Sequence, residues 1–145
     1  MKRRASLAVG LVLASALAGC SGKSESESTT PAATRPAVAD HIDVVATDFG
    51  FSDPAWTIAA GEDVSVHFAN HGTLEHEWAV LREGRDIGRQ RDFTEDRVLL
   101  EVEAIAWDHD ADQTIRIDEP GTYQVICALQ GHFDAGMHAT LYVEA

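Results

Sequence analysis

Cys127, His132 and Met137 follow one another at five-residue intervals in the stretch CALQGHFDAGM, 127–137. Thiolate and thioether are soft ligands and imidazole is a borderline one, so the trio suits a metal that takes all three. Each residue alone has a plainer reading: an inert buried thiol, an exposed loop histidine, a flexible core filler. The spacing is what lifts them above that. A redox thiol is the competing chemistry, yet it calls for Cys-x-x-Cys or an exposed, low-pKa Cys at a helix start, and neither pattern occurs.

The only other cysteine is Cys20. Lys2, Arg3 and Arg4 precede a run of apolar and small residues from Ala5 to Ala18, the layout of an export signal too short for a stable membrane span. The Leu17-Ala-Gly-Cys20 ending resembles a bacterial lipobox, which implies cleavage before Cys20 and lipid on its sulfur. Three divisions follow: a lipoprotein signal peptide over 1–19, lipidated Cys20 with a flexible linker over 20–39, and one domain over 40–145. The chain is then extracytoplasmic and lipid-anchored to a bacterial membrane. Cys127 is left without a disulfide partner, and an exported solitary thiol asks for a chemical role.

The elements that must position the trio have a period of two. HIDVVATDFGF (41–51), WTIAA, DVSVHFAN, HEWAVL (76–81), VLLEVEAIA (98–106), TIRID (114–118), TYQVICAL and MHATLYV read as strands separated by Gly, Pro and Asn turns. About eight short strands predict an all-β antiparallel sandwich or barrel. Strand parity puts Tyr123, Val125 and Cys127 on one face, and Met137, Ala139, Leu141 and Val143 on another inward face. Gly131 and Gly136 let the loop between bend sharply around His132. Residues 82–97 interrupt the pattern. Five arginines and five acids there suggest an exposed, salt-bridged loop, with Asp92-Phe-Thr-Glu95 as the cap of a short helix. Trp56 and Trp107 read as packing residues, with Trp78 and Phe133 near the site.

A fourth ligand is sought among seven histidines. His67 faces outward by parity, His41 and His109 lie among acids at strand ends, and His138 alternates away from Met137. His76 opens HEWAVL directly after a turn and is the best candidate, with His71 as the fallback. His76, Cys127 and His132 form a His₂Cys set, and Met137 is a weak axial ligand, which is what a mononuclear blue-copper electron-transfer site requires. Zinc suits Cys and His but seldom recruits Met.

The closing stretch PGTYQVICALQGHFDAGMHATLYV resembles the last strands of the cupredoxins, and its Cys-x₄-His-x₄-Met spacing is similar to that of auracyanin and rusticyanin. GEDVSVHFANHGTLEHEWAV resembles the preceding strands. The resemblance covers about 41–145. It implies a Greek-key cupredoxin sandwich holding one Cu(I)/Cu(II) ion, with His76, Cys127 and His132 equatorial and Met137 axial. Many cupredoxins follow the first histidine with an Asn that ties the two ligand loops together; here the neighbour is Glu77. An ionised carboxylate there favours Cu(II), and burial drives it to protonate.

All 24 acids lie after Cys20, and three of the 11 cations leave with the leader, so eight cations face 24 acids and the mature formal charge is −16. Nucleic acid is excluded as a partner, because it needs clustered cations. Redox proteins docking near His132, the ligand nearest the surface, are the expected partners of a monomeric carrier with no small-molecule substrate. No catalytic residue is assigned: multicopper enzymes need further His pairs and a binuclear centre needs a second Cys in the loop. A copper-delivery protein is the alternative, but such proteins rely on Met- or His-rich tracts, and the only methionines are Met1 and Met137.

Overall fold

The computed structural model describes residues 35–145. The expected signal peptide (1–19), Cys20 with its expected lipid, and most of the expected linker lie outside the described residues. Among the described residues the ten strands are β1 (Val38–Ala39), β2 (His41–Thr47), β3 (Gly50–Phe51), β4 (Ala55–Ala59), β5 (Val64–Asn70), β6 (His76–Leu81), β7 (Val98–Ile105), β8 (Asp110–Ile115), β9 (Gly121–Ile126) and β10 (His138–Glu144). They form a six-stranded sheet, β1-β4-β10-β9-β6-β7, and a four-stranded sheet, β3-β2-β5-β8. This is the all-β sandwich that the alternation predicts.

Three pairings depart from the antiparallel expectation: β1 with β4, β4 with β10, and β2 with β5 are parallel. The chain leaves the small sheet after β3, contributes β4 to the large one and returns as β5, and such a crossover permits parallel neighbours. Strand alternation does not distinguish the two directions.

The core lies between the sheets. Ile42, Val44 and Ala46 of β2 and Val64, Val66 and Phe68 of β5 face Trp78, Val80, Val125, Leu141 and Val143 across the interior. Tyr123 is buried at the start of β9 and its hydroxyl donates to the Glu119 carbonyl at 2.7 Å, a tyrosine corner that fixes the Pro120-Gly121 turn. Leu141 has no exposed surface. Leu141→Ala is therefore expected to cost about 2–5 kcal/mol through lost burial and a residual cavity, read as a lower midpoint in urea unfolding.

A second cluster lies on the outer face of the large sheet, where Ala79, Leu81 and Ile126 are covered by Ile87, Phe133 and Phe93. Burial on both faces explains why Trp78 to Leu81 is a continuous apolar run. It also corrects part of the reading of 82–97: most of the segment is exposed as expected, but it is not salt-bridged. This segment packs on the sheet through Ile87, and none of its five arginines is in a salt bridge among the described residues. Arg82 and Arg97 instead donate to the backbone carbonyls of Asp96 and Arg85. The expected short helix is two 3-10 turns, Gln90–Asp92 and Glu95–Arg97, neither with a side-chain cap. Trp56 is buried as expected, but Trp107 is 63% exposed at the turn before β8.

Candidate metal centre

β6 and β9 are antiparallel neighbours, with Ala79 opposite Ile126 and Val80 opposite Val125. The start of β6 and the end of β9 therefore fall at one end of the sandwich, bringing His76 to Cys127. Past Cys127 the chain turns back on itself: the His132 amide bonds to Leu129 O at 3.0 Å, and the Met137 amide to His132 O at 3.0 Å. Gly136, at φ 109°, makes that return possible in a conformation closed to most side chains. The Cys127 amide then donates to Met137 O at 3.2 Å, closing the loop at the entry to β10.

One donor atom from each of His76, Cys127 and His132 lies within 4.8 Å of the others. Cys127 Sγ is 3.3 Å from His132 Nδ1, and the two imidazole rings are 5.0 Å apart. All three residues and Met137 are buried, His132 being 8% exposed and the other three fully enclosed. His76 Nε2 contacts Asp48 Oδ1 at 3.3 Å, while His76 Nδ1 is buried with no hydrogen-bond partner. A buried, unpartnered nitrogen beside a thiol and a second imidazole fits a metal ion, since such a group is otherwise costly to leave unsatisfied. Thiolate, two imidazoles and a nearby thioether fit copper best. His71, the fallback ligand, is exposed and is not in this group. Of the remaining histidines, His67 bonds Asp112 at 2.8 Å on the outer face of the small sheet, where it forms an exposed cluster with Asp110.

The electrostatics suit a site completed by a cation. Burial pushes the Cys127 thiol up to about 11, against backbone hydrogen bonds from Glu77 and Leu129 that pull it down. Burial and the neighbouring His76 hold His132 below the usual histidine range, so it is neutral and able to bind metal at physiological pH. Glu77 is half-buried and raised by desolvation. Its Oε1 accepts from the Ala128 amide at 2.7 Å, so the carboxylate itself ties β6 to the ligand loop, the task the resemblance gives to an Asn.

Several supporting residues escape sequence reasoning. Asp48 accepts from the Thr73 amide and hydroxyl, each at 2.7 Å, and these bonds lower its carboxyl to about 2. It is thereby fixed as a charged partner for His76 Nε2–H, an arrangement that orients a ligating imidazole. Asp48→Asn is expected to raise the reduction potential of the copper-loaded protein, measured by redox titration, because a charge that favours Cu(II) is lost. Asn70 is fully buried; its side chain donates to Leu74 O and Ile105 O and accepts from the Gly72 amide, fixing the turn before His76. Phe49, at φ 67°, stands edge-on to His132 at 5.3 Å and is 43% exposed. Asp48-Phe49-Gly50 has the composition of a turn, but nothing local ties it to residues far along the chain.

A β-sandwich with a buried His-Cys-His group and an adjoining Met at one end defines a cupredoxin, a blue copper protein, and its cofactor is one copper ion. The model of the sulfocyanin (SoxE) domain matches residues 50–145, and the chain belongs to that family. No protein of curated function matches it in sequence. Solved structures share the fold. Auracyanin from the photosynthetic bacterium Roseiflexus castenholzii is 17% identical with a TM-score of 0.67, covering 75% of this chain and 100% of its own. Auracyanin A from Chloroflexus aurantiacus, a "blue" copper protein, is 20% identical at 0.62, covering 72% and 98%. Rusticyanin from Thiobacillus ferrooxidans is 18% identical at 0.60, covering 73% and 79%.

Proposed function

We propose that this chain is an extracytoplasmic electron carrier with a type 1 copper site. In this reading His76, Cys127 and His132 would hold the copper, with Met137 as the weaker fourth ligand. The observation that carries it is the convergence of three buried donor atoms within 4.8 Å, one of them from an imidazole whose Nδ1 has no other partner. Copper held there would supply a one-electron Cu(I)/Cu(II) couple. The residues supply the rest. Burial excludes water, and Glu77 and the turns of the 128–137 loop hold the donors in place without metal.

His132 is the least enclosed of the four ligands and carries the electron to docked redox proteins past Phe49. The strongly acidic surface favours partners with a cationic docking face. Lipid on Cys20 tethers the monomeric carrier to its membrane through the 20–39 linker; among the described residues no helix is long and apolar enough to cross one.

The test is the optical and EPR spectrum of the copper-loaded protein. An intense visible thiolate-to-Cu(II) band is expected, lost in Cys127→Ser. A protein that takes up Cu(II) and stays colourless overturns the reading.

A further inference from the structure

The 82–97 segment has no part in the copper chemistry above, yet the Gln90 side chain hydrogen-bonds the ligand loop at two points. Gln90 Nε2 donates to Ala128 O at 2.8 Å, and Gln90 Oε1 accepts from the Phe133 amide at 3.1 Å. Ala128 follows Cys127 and Phe133 follows His132, so one planar amide spans the backbone between the two ligands. The Gln90 backbone amide adds a third bond, to Asp134 Oδ1 at 2.8 Å. The segment is itself anchored. Ile87, 5% exposed, packs with Leu81, Ile126 and Phe133, and its backbone exchanges two hydrogen bonds with the Gln124 side chain at 2.8 and 3.1 Å.

We propose that Gln90 is a positioning residue for the copper centre, a clamp that holds the Ala128–Phe133 loop, and His132 with it, in the ligating arrangement before metal arrives. The proposal rests on the ligand assignment given above. Residues 127–132 lie outside the strands, and their shape rests on a few backbone turn bonds together with side-chain bonds such as this one and that of Glu77. Outer-shell contacts of this kind govern metal affinity because they fix ligands that otherwise sample other conformers.

Gln90→Met keeps length and volume but removes both side-chain bonds; Tyr123→Phe removes one hydrogen bond, to Glu119 O, at the end of β9 away from the ligand loop. In the copper-loaded full chain, Gln90→Met is expected to weaken copper binding about tenfold in chelator competition and to shift the visible and EPR spectra. Tyr123→Phe is expected to lower the melting temperature while leaving affinity and spectra at wild-type values. In the apo protein, hydrogen exchange of the Phe133 amide is expected to accelerate in Gln90→Met and stay protected in Tyr123→Phe. Wild-type affinity and spectra in Gln90→Met, or equal Phe133 exchange in both variants, overturn the proposal. A wild-type protein without the visible band instead overturns the ligand assignment, and the apo exchange experiment still decides whether the clamp exists.

Discussion

Gly72→Ala is expected to weaken copper binding by 10- to 100-fold, about 1.4–2.7 kcal/mol, and to destabilise the apo domain by about 1–3 kcal/mol. The reason is room. A Cβ at Gly72 would stand 2.5 Å from Asp48 Oδ1, 2.6 Å from His76 Nε2 and 3.1 Å from the Asp48 backbone amide. The methyl group would therefore enter the contact that orients His76. Neither neighbour yields easily: Asp48 is pinned by Thr73 through its backbone and hydroxyl, and His76 is fully buried. The turn cannot swing outward without breaking the bond from the Gly72 amide to Asn70 Oδ1 at 2.9 Å. Gly61→Ala is the control. Gly61 has φ +73°, so an alanine there is strained, but it lies beside Arg116 and Asp118, away from the site. It is expected to lower stability alone. Chelator competition and thermal melts of both variants, with and without copper, separate the two effects. Equal affinity losses would show that the Gly72 effect is general strain.

What the sequence discloses and what it hides divide along the range of the interactions. Cys127, His132 and Met137 lie within one loop, and strand parity on either side predicts that Cys127 and Met137 point inward, which their complete burial bears out. His76 follows by elimination among seven histidines, and the structure brings it to Cys127 through the β6–β9 pairing. Asp48 and Gln90 are different. They act on residues 28 and 38 or more positions away through single side-chain atoms, and no periodicity encodes such contacts. The 82–97 segment is misread for a related reason. Its apolar residues are too sparse to show a period, so its charges dominate the reading although Ile87 decides its position. Trp107 errs the other way, an aromatic residue assigned to packing that stands exposed.

Copper removal is expected to have the largest effect of all, and its size should depend on pH. An ion that binds only the folded state stabilises it by about 4 kcal/mol when free copper exceeds its Kd a thousandfold. At roughly 4–8 °C per kcal/mol for a domain near this size, the melting temperature should fall on the order of 15–30 °C in chelator. The apo site supplies part of the reason, since it keeps His76 Nδ1 buried without a partner. The sign of the pH dependence follows from Cys127. Its thiol is raised to about 11, so at neutral pH the apo protein holds a proton that copper must expel. The apo state binds more protons than the copper-loaded state, and affinity therefore rises with pH, about tenfold per unit, until the apo thiol itself ionises near 11. Below the lowered range of His132, that imidazole also charges when metal-free, and the slope steepens. Chelator competition between pH 6 and 9 measures this directly, as does proton release on copper uptake in weak buffer. Cys127→Ser should flatten the slope, because a serine hydroxyl holds its proton throughout. A wild-type slope near zero would mean that the thiol is not the group that meets the metal.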